Sequence, residues 1–249
     1  MKDAQVAVAF EGVTKSFGAL KVLDDISFEV FRGTAFCLLG RSGSGKSVTI
    51  KQMIGLLKPD RGRIWVEGED IAALDSAGLA RVRKEIGFLF QYSALFDSIS
   101  VGENVAFPLR RHTNMGEDEI RDRATKKLRR VGLEGIYDKM PSDISGGMRK
   151  RVGLARALVL EPALLLADEP SSGLDPITSR EIDELFLDLK HTEGTTMVIV
   201  THNIPSARSV GDELAVLHQG RILASGSPAE LDRSEHAVVR EFMQMQGGV

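Results

Sequence analysis

"TAFCLLGRSGSGKS", residues 34–47, sets an unbroken apolar run directly against a glycine-rich turn. A half-exposed strand alternates apolar and polar residues. The run Ala35 to Leu39 therefore reads as a strand buried on both faces, the kind that parallel sheets use. Gly40-Arg41-Ser42-Gly43-Ser44-Gly45-Lys46-Ser47 then matches G-x-x-x-x-G-K-[ST]. In that pattern backbone N–H groups wrap a polyphosphate, and the N-terminus of the following helix adds positive potential. Lys46 is expected to reach the β- and γ-phosphates and Ser47 to bind Mg²⁺, and Val48 is counted with them among the nucleotide-binding residues. That helix is expected from about Lys46 to Leu57, ended by "KPDRG".

Working outward, further buried-type strands read at "IGFLF" (86–90), "ALLLA" (163–167), "TMVIV" (196–200) and "ELAVL" (213–217), with helical patterns between several of them. Strands alternating with helices imply a parallel sheet wrapped in helices. Two earlier segments alternate instead, at Val6/Val8/Phe10 and Ile26/Phe28/Val30, as an antiparallel pair with one solvated face does. Between Gln91 and Leu160 the pattern is helical. "SVGE" at Ser100 to Glu103 fits a capping box, and Ile120, Ala124, Leu128 and Val131 mark one apolar face ahead of Gly132. The expected organisation is a single domain over 1–249, with an α/β core over 1–91 and 161–249 and a helical subdomain over 92–160.

Composition narrows the class. The chain has 249 residues, enough for a full hydrophobic core, and 32 basic against 35 acidic residues leave a net charge of −3. That balance argues mildly against a dedicated nucleic-acid binder. Cys37, alone of its type, lies inside the apolar run and reads as a buried thiol in a reducing compartment. "MKDAQVAVAFEG" lacks the apolar core and cleavage site of a signal peptide, and no stretch approaches the ~20 apolar residues of a membrane span. A cytosolic protein is expected, reaching a membrane only through a partner or its surface.

"LLLADE" supplies a second half to the phosphate cradle. A carboxylate at the C-terminal end of a buried neighbouring strand lies at the crevice where α/β sheets bind ligands, which suits Asp168 to a Mg²⁺ shell. Glu169 follows it, placed to act as a general base on the attacking water. His202, at the end of "MVIVT", can reach a γ-phosphate from the same edge, and Gln91 closes the edge after "IGFLF". The remaining histidines are scattered and indicate no metal site made of protein ligands.

In their order these motifs resemble the ATP-binding cassette, or ABC, ATPases, over essentially the whole chain. "ISGGM" (144–148) resembles the family's signature, Gln91 its Q-loop, "SGLD" (172–175) its D-loop and His202 its switch histidine. Phe17 in "KSFG" falls where the family carries an aromatic that stacks on adenine, although a phenylalanine by itself reads as core. The resemblance implies a P-loop, RecA-like, mainly parallel sheet core with an N-terminal antiparallel β subdomain and an inserted α-helical subdomain. It implies ATP and Mg²⁺ as cofactors, with Ser47, Gln91 and Asp168 (through water) around the metal. It also implies a head-to-tail homodimer in which Ser145, Gly146 and Gly147 meet the nucleotide held by the second copy, and it counts Asp175 of the D-loop among the nucleotide-binding residues. An anion at a helix N-terminus is favoured, and glycine lets the backbone approach it. Three positions depart from the pattern: Ile144 and Met148 stand for the usual Leu and Gln, and Asn203 stands where many members have Asp.

With no membrane span, second cassette or coiled-coil insert, a subunit docked on a separate integral membrane permease is expected, at the cytoplasmic face of the inner membrane. Leu95 and Phe96, apolar residues in a loop, form a candidate socket for a permease helix or else fill the helical core. In wording "LFQYSALFDSISVGENVAFPLRRH", "MPSDISGGMRKRVGLARALVLEP", "SSGLDPIT" and "VVREFM" are similar to the ATPases of Mce/Mla-type lipid transporters. That likeness implies phospholipid or a related lipid as cargo, an MCE-domain lipid-binding partner and room for a small regulatory subunit. Transport of another small substrate, an amino acid or a drug, stays open, as does nucleic-acid or ribosome work, although no nucleic-acid partner is expected. Intact Lys46, Asp168, Glu169 and His202 speak against a cassette that binds ATP without cleaving it. Basic runs at Arg110 to Arg111, Lys126 to Arg130 and Arg149 to Arg151 read either as solvated helix faces or as a membrane-surface patch. The closing "FMQMQGGV" is either an interaction element or a packed helix end.

Overall fold

The computed structural model describes residues 5–244; the first four residues of the amino-terminal stretch and the last five of "FMQMQGGV" lie outside the described residues. Strands β1 (Val6–Phe17) and β2 (Leu20–Phe31) pair antiparallel as their alternation predicts, with Phe10 opposite Phe28 and Val13 opposite Ile26. Strand β3 (Ala35–Leu39) is buried throughout. Its Phe36 and Leu38 join the core beneath the small sheet, while Ala35, Cys37 and Leu39 join the core on the other side. Stacked rings of Phe10, Phe28 and Phe36, with centroids 4.6 and 4.9 Å apart, connect the two sheets. Burial pushes the Cys37 thiol up to about 12, which makes it an inert core group.

Helix α1 (Lys46–Met53) stops short of the expected Leu57. The amides of Gly55 and Leu56 turn back onto the carbonyls of Gln52 and Lys51, each at 3.0 Å, and this closure ends the helix early. Strands β4 (Arg61–Val66) and β5 (Glu69–Asp70), absent from the sequence reading, complete a four-stranded sheet in the order β2-β1-β4-β5. Only Ile64 and Val66 of β4 are buried, an alternation too short to stand out.

Helix α2 (Ser76–Lys84), capped by the Asp75 carboxylate on the Gly78 amide, leads into β6 (Ile86–Leu89). Helices α3 (Val101–His112), α4 (Glu117–Arg130) and α5 (Gly146–Leu158) follow. Ile120, Ala124, Leu128 and Val131 are buried against Val105 and Leu109, as the apolar face predicts. The capping box is half formed. Ser100 Oγ accepts the Glu103 amide at 3.2 Å, but the Glu103 carboxylate turns away to Arg110 and to the Tyr137 hydroxyl at 3.0 Å. An ion pair and a buried tyrosine hold it there instead of the cap amide.

The chain then runs through β7 (Leu164–Asp168), α6 (Pro176–Glu193), β8 (Thr196–Thr201), α7 (Ile204–Val210), β9 (Glu213–His218), β10 (Arg221–Gly226), α8 (Pro228–Asp232) and α9 (Ala237–Gln244). The second sheet has the order β10-β9-β3-β8-β7-β6, parallel except for the β9–β10 hairpin. Its register is in step: Leu39 lies beside Thr201, Asp168 beside Val200, and Leu89 beside Ala167. Gly40, His202, Glu169 and Gln91 therefore leave the sheet along one edge, where open α/β sheets bind ligands.

Phe242 and Met243 are buried on α9, so that helix end is packed. Arg110, Lys126, Arg130 and Arg151 each pair with carboxylates of this chain, as solvated helix faces do. Among the described residues no helix is long and apolar enough to cross a membrane.

Candidate active site

The turn between β3 and α1 is built around Gly45, which caps the helix at φ 110, a conformation that side chains rarely adopt. A Cβ there would also stand 2.7 Å from Leu23 Cδ2. Lys46 is almost fully buried and folds back over the loop, donating to the carbonyls of Gly40 at 2.7 Å and Arg41 at 3.3 Å. Its Nζ is also 3.3 Å from Glu169 Oε1. The Ser47 hydroxyl points at Asp168 Oδ1, 3.4 Å away. Burial first, and the neighbouring Glu169 charge second, hold Asp168 above the usual carboxylate range. These are hard oxygen donors beside a phosphate cradle, and such a set suits Mg²⁺. No group of three or more His, Cys, Asp or Glu side chains able to hold a metal occurs among the described residues.

Glu169 sits in the left-handed region at φ 48, its amide donating to the Val200 carbonyl at 2.8 Å. Its Oε2 accepts from the Thr201 hydroxyl at 3.1 Å and the His202 amide at 3.3 Å, and lies 2.8 Å from His202 Nδ1. The carboxylate is thus held from one side by Lys46 and from the other by the end of β8. The His202 side chain remains 61% exposed, so its ring bridges the buried Glu169 carboxylate and the open cavity.

That cavity, about 670 Å³, is of the size that cofactors occupy. Arg41 to Val48 line its floor, Phe17 and Val22 one wall, and Gln91, Glu169 and His202 with Ile204 and Phe242 the other. Phe17 is 47% exposed at the end of β1, which excludes the core reading for it, and Lys15 Nζ lies 5.5 Å from its ring centroid. Gly40 contributes through its carbonyl to Lys46 and does not line the wall. Val22, Ile204 and Phe242 escaped the sequence reading. Val22 belongs to the β2 alternation, and nothing local to α9 announces that Phe242 meets a loop two hundred residues earlier.

Ser145, Gly146, Gly147 and Asp175 do not line this cavity. Ser145 Oγ accepts the Met148 amide at 3.2 Å and caps α5, which leaves Gly146 and Gly147 as its first residues. Asp175 caps α6, accepting from the amides of Ile177 and Thr178 at 3.0 Å and from the Thr178 hydroxyl at 2.6 Å. Those bonds, chiefly Thr178's, hold its carboxyl below the usual range. A Cβ on Gly147 would come 2.5 Å from Thr178 Cγ2, whereas one on Gly146 would meet nothing nearer than Arg149 Nη2 at 3.9 Å. Gly147 therefore has a reason to be glycine inside its own chain; Gly146 has none there.

Lys150, also missed, is buried on α5 with its Nζ donating to the carbonyls of Gln91 and, at 3.2 Å, Glu169. The apolar pair in the following loop divides. Leu95 packs onto the core, while Phe96 is 44% exposed with its ring 4.9 Å from that of Phe107.

The family model for ABC transporters matches residues 23–172, from β2 through the P-loop, the α5 cap and the Asp168–Glu169 strand end. The chain belongs to the ABC transporter family. This ABC cassette is 45% identical over 238 residues to the "Probable ribonucleotide transport ATP-binding protein mkl" of Mycobacterium leprae, covering 96% of this chain and 69% of the relative. It is 40% identical over 222 residues to the intermembrane phospholipid transport system ATP-binding protein MlaF of Escherichia coli K12, covering 89% and 82%. With the methionine import ATP-binding protein MetN of Cereibacter sphaeroides it shares 38% over 258 residues, covering 100% and 73%. A solved dimeric ATP-binding cassette in a post-hydrolysis state with ADP and Pi superposes with a TM-score of 0.82 at 32% identity, covering 88% of this chain and 98% of that one. The cassette is an ATPase of this family, and such ATPases work as dimers with a membrane permease.

Proposed function

We propose that this ABC cassette powers the transport of phospholipid or a related lipid, working as a head-to-tail homodimer on a separate integral membrane permease. The observation that carries the lipid reading is the 40% identity to MlaF across 89% of the chain. The comparable likeness to a methionine importer is why an amino acid or other small substrate remains the competing reading. An MCE-domain lipid-binding protein and a small regulatory subunit belong to the proposal, as does a place at the cytoplasmic face of the inner membrane.

In the hydrolytic step the P-loop amides bind the phosphates. Lys46 exchanges its bonds to the Gly40 and Arg41 carbonyls for the β- and γ-phosphate oxygens, which also releases Glu169 Oε1. Mg²⁺, held by Ser47, Gln91 and Asp168, the last through water, would supply charge neutralisation of the phosphates. Phe17 stacks on the adenine. Glu169 accepts a proton from water as the water oxygen attacks the γ-phosphorus, and the bond to the β–γ bridging oxygen breaks to release ADP. His202 holds the Glu169 carboxylate through Nδ1 and has an exposed ring with which to reach the γ-phosphate. Ser145, Gly146, Gly147 and Asp175, absent from the cavity of their own chain, complete the cavity of a second copy.

Residues 92–160 are proposed to move as a helical subdomain against the core formed by 1–91 and 161–249. A second groove of about 340 Å³, lined by the exposed rings of Phe90, Phe96 and Phe107 together with Arg83, Lys84 and His112, lies where those parts meet and is the proposed permease socket. The testing experiment is gentle purification of the chain from its own membranes, with mass spectrometry of every protein and lipid recovered. A permease, an MCE-domain protein and bound phospholipid are expected. A permease without lipid would remove the cargo, and DNA or ribosomal partners would overturn the transport reading.

A further inference from the structure

One face of α5 grips the chain immediately after β6. Lys150 Nζ donates to the Gln91 carbonyl, and Arg156 donates to the carbonyls of Ser93 at 2.6 Å and Ala94 at 2.7 Å. Ser93 and Ala94 are both left-handed, at φ 61 and 47, so these bonds hold a turn that would otherwise relax. Between the two cations lies Gly153, where a Cβ would stand 3.2 Å from Ser93 Cβ and 3.1 Å from Leu89 Cδ1.

Lys150 also has an acceptor outside this segment, whereas both acceptors of Arg156 lie within it. The same ammonium donates at 3.2 Å to the carbonyl of Glu169, a residue whose own backbone is left-handed and whose amide is tied to Val200. The peptide following Glu169 is therefore anchored through Lys150, and Lys150 rides on the helix that begins at Gly146. Lys150 is 5% exposed and lines neither the nucleotide cavity nor the groove. Its bonds run to Gln91 and Glu169, so any part it plays in hydrolysis runs through them. A buried ammonium is retained only where its donors are met, and both acceptors here are backbone carbonyls at the site's edge.

We propose that Lys150 is a positioning residue for hydrolysis: it joins the α5 helix to the backbone of Glu169 and Gln91. Docking of that helix on a second copy's nucleotide thereby sets the orientation of the base. The inference rests on the proposed role of Glu169 as general base.

The test compares the full chain with K150M, K150R, E169Q and the double variant K150M/E169Q, measuring steady-state ATPase kinetics, ADP binding and thermal midpoint. K150M keeps the length of the side chain and removes the donors. A misplaced base should lower kcat by about 10- to 100-fold while KM and the ADP affinity stay within about threefold. K150R, which keeps charge and donors, should recover most of kcat. In the E169Q background K150M should change the residual turnover by less than about twofold, because no base remains to be positioned. The proposal is overturned if K150M turns over at the parent rate. It is equally overturned if kcat, ADP affinity and thermal midpoint fall together without recovery in K150R, or if K150M costs as much without Glu169 as with it. Parent-level hydrolysis by E169Q alone would instead remove the base assignment, an outcome separate from all three.

Discussion

Gly147→Ala separates two reasons for a glycine at the head of α5: contact with another copy's nucleotide, and contact within the chain. The added methyl would stand 2.5 Å from Thr178 Cγ2, about 1 Å inside an ordinary carbon–carbon contact. Thr178 cannot turn aside freely, because its hydroxyl is bonded to Asp175 Oδ2 at 2.6 Å and rotation would break that bond. Overpacking of this kind costs about 1–3 kcal/mol and the tethered threonine puts this case at about 2–3 kcal/mol, offset by up to ~1 kcal/mol of alanine's helix preference, for a net loss of roughly 1–2 kcal/mol or slightly more. For a chain of this size that is a fall of about 2–8 °C in thermal midpoint, read by scanning calorimetry without nucleotide. Thr178→Ser keeps the hydroxyl and removes the methyl, so the double variant should recover most of the loss, with a coupling of about 1 kcal/mol. Gly146→Ala, whose Cβ meets open space, should leave the midpoint unchanged or raise it slightly. An unaltered midpoint in Gly147→Ala, or a loss that Thr178→Ser does not relieve, would refute the intrachain reason.

Glu169→Gln should lower kcat by about 10²- to 10⁴-fold while retaining ATP and accumulating as a dimer on gel filtration; parent-level turnover would remove the base. Ser145→Arg should abolish turnover yet leave ATP binding to the single chain intact, since Ser145 does not line that chain's cavity; lost binding in equilibrium dialysis would contradict this. Phe17→Ala should raise the KM for ATP by about 3- to 10-fold, the worth of one aromatic stack, with little change in kcat; an unchanged KM would free Phe17 of that role. Asp183, buried beside Ser206, is held above the ordinary carboxylate value of 3.8, chiefly by burial. Its contribution to stability is complete below that value and is lost as pH rises through the elevated native pKa, because the native state prefers the neutral acid. Asp183→Asn should therefore be more stable than the parent at pH 7, with the gap closing near pH 3.5; a gap independent of pH would refute the assignment.

Much of this protein was legible along the chain. Buried strands announce themselves because a strand covered on both faces has no polar position, as at β3, β7 and β8. The phosphate loop, Asp168, Glu169 and His202 could be named because each sits at the end of such a run. Ser100 could be read as a cap because an N-cap acts on amides only two or three residues ahead. Strands β4, β5 and β10 were not legible, being short, partly charged or half-exposed. The end of α1 and the course of Glu103 were misread because Gly55 and Arg110 compete locally with the pattern that continues past them.

The sequence by itself determined the elements and the kinds of chemistry at their ends, since periodicity, caps and glycine-rich turns act over a few residues. Only the tertiary structure decided which ends meet. It inserted β8 between β3 and β7, and so set His202 against one side of Glu169 and Lys46 against the other. It brought Thr178 against Gly147, Lys150 beneath Gln91 and Glu169, and Phe242 to the wall of the nucleotide cavity. Strand order and helix packing are settled by burial summed over the whole core, and no local stretch of sequence carries that sum.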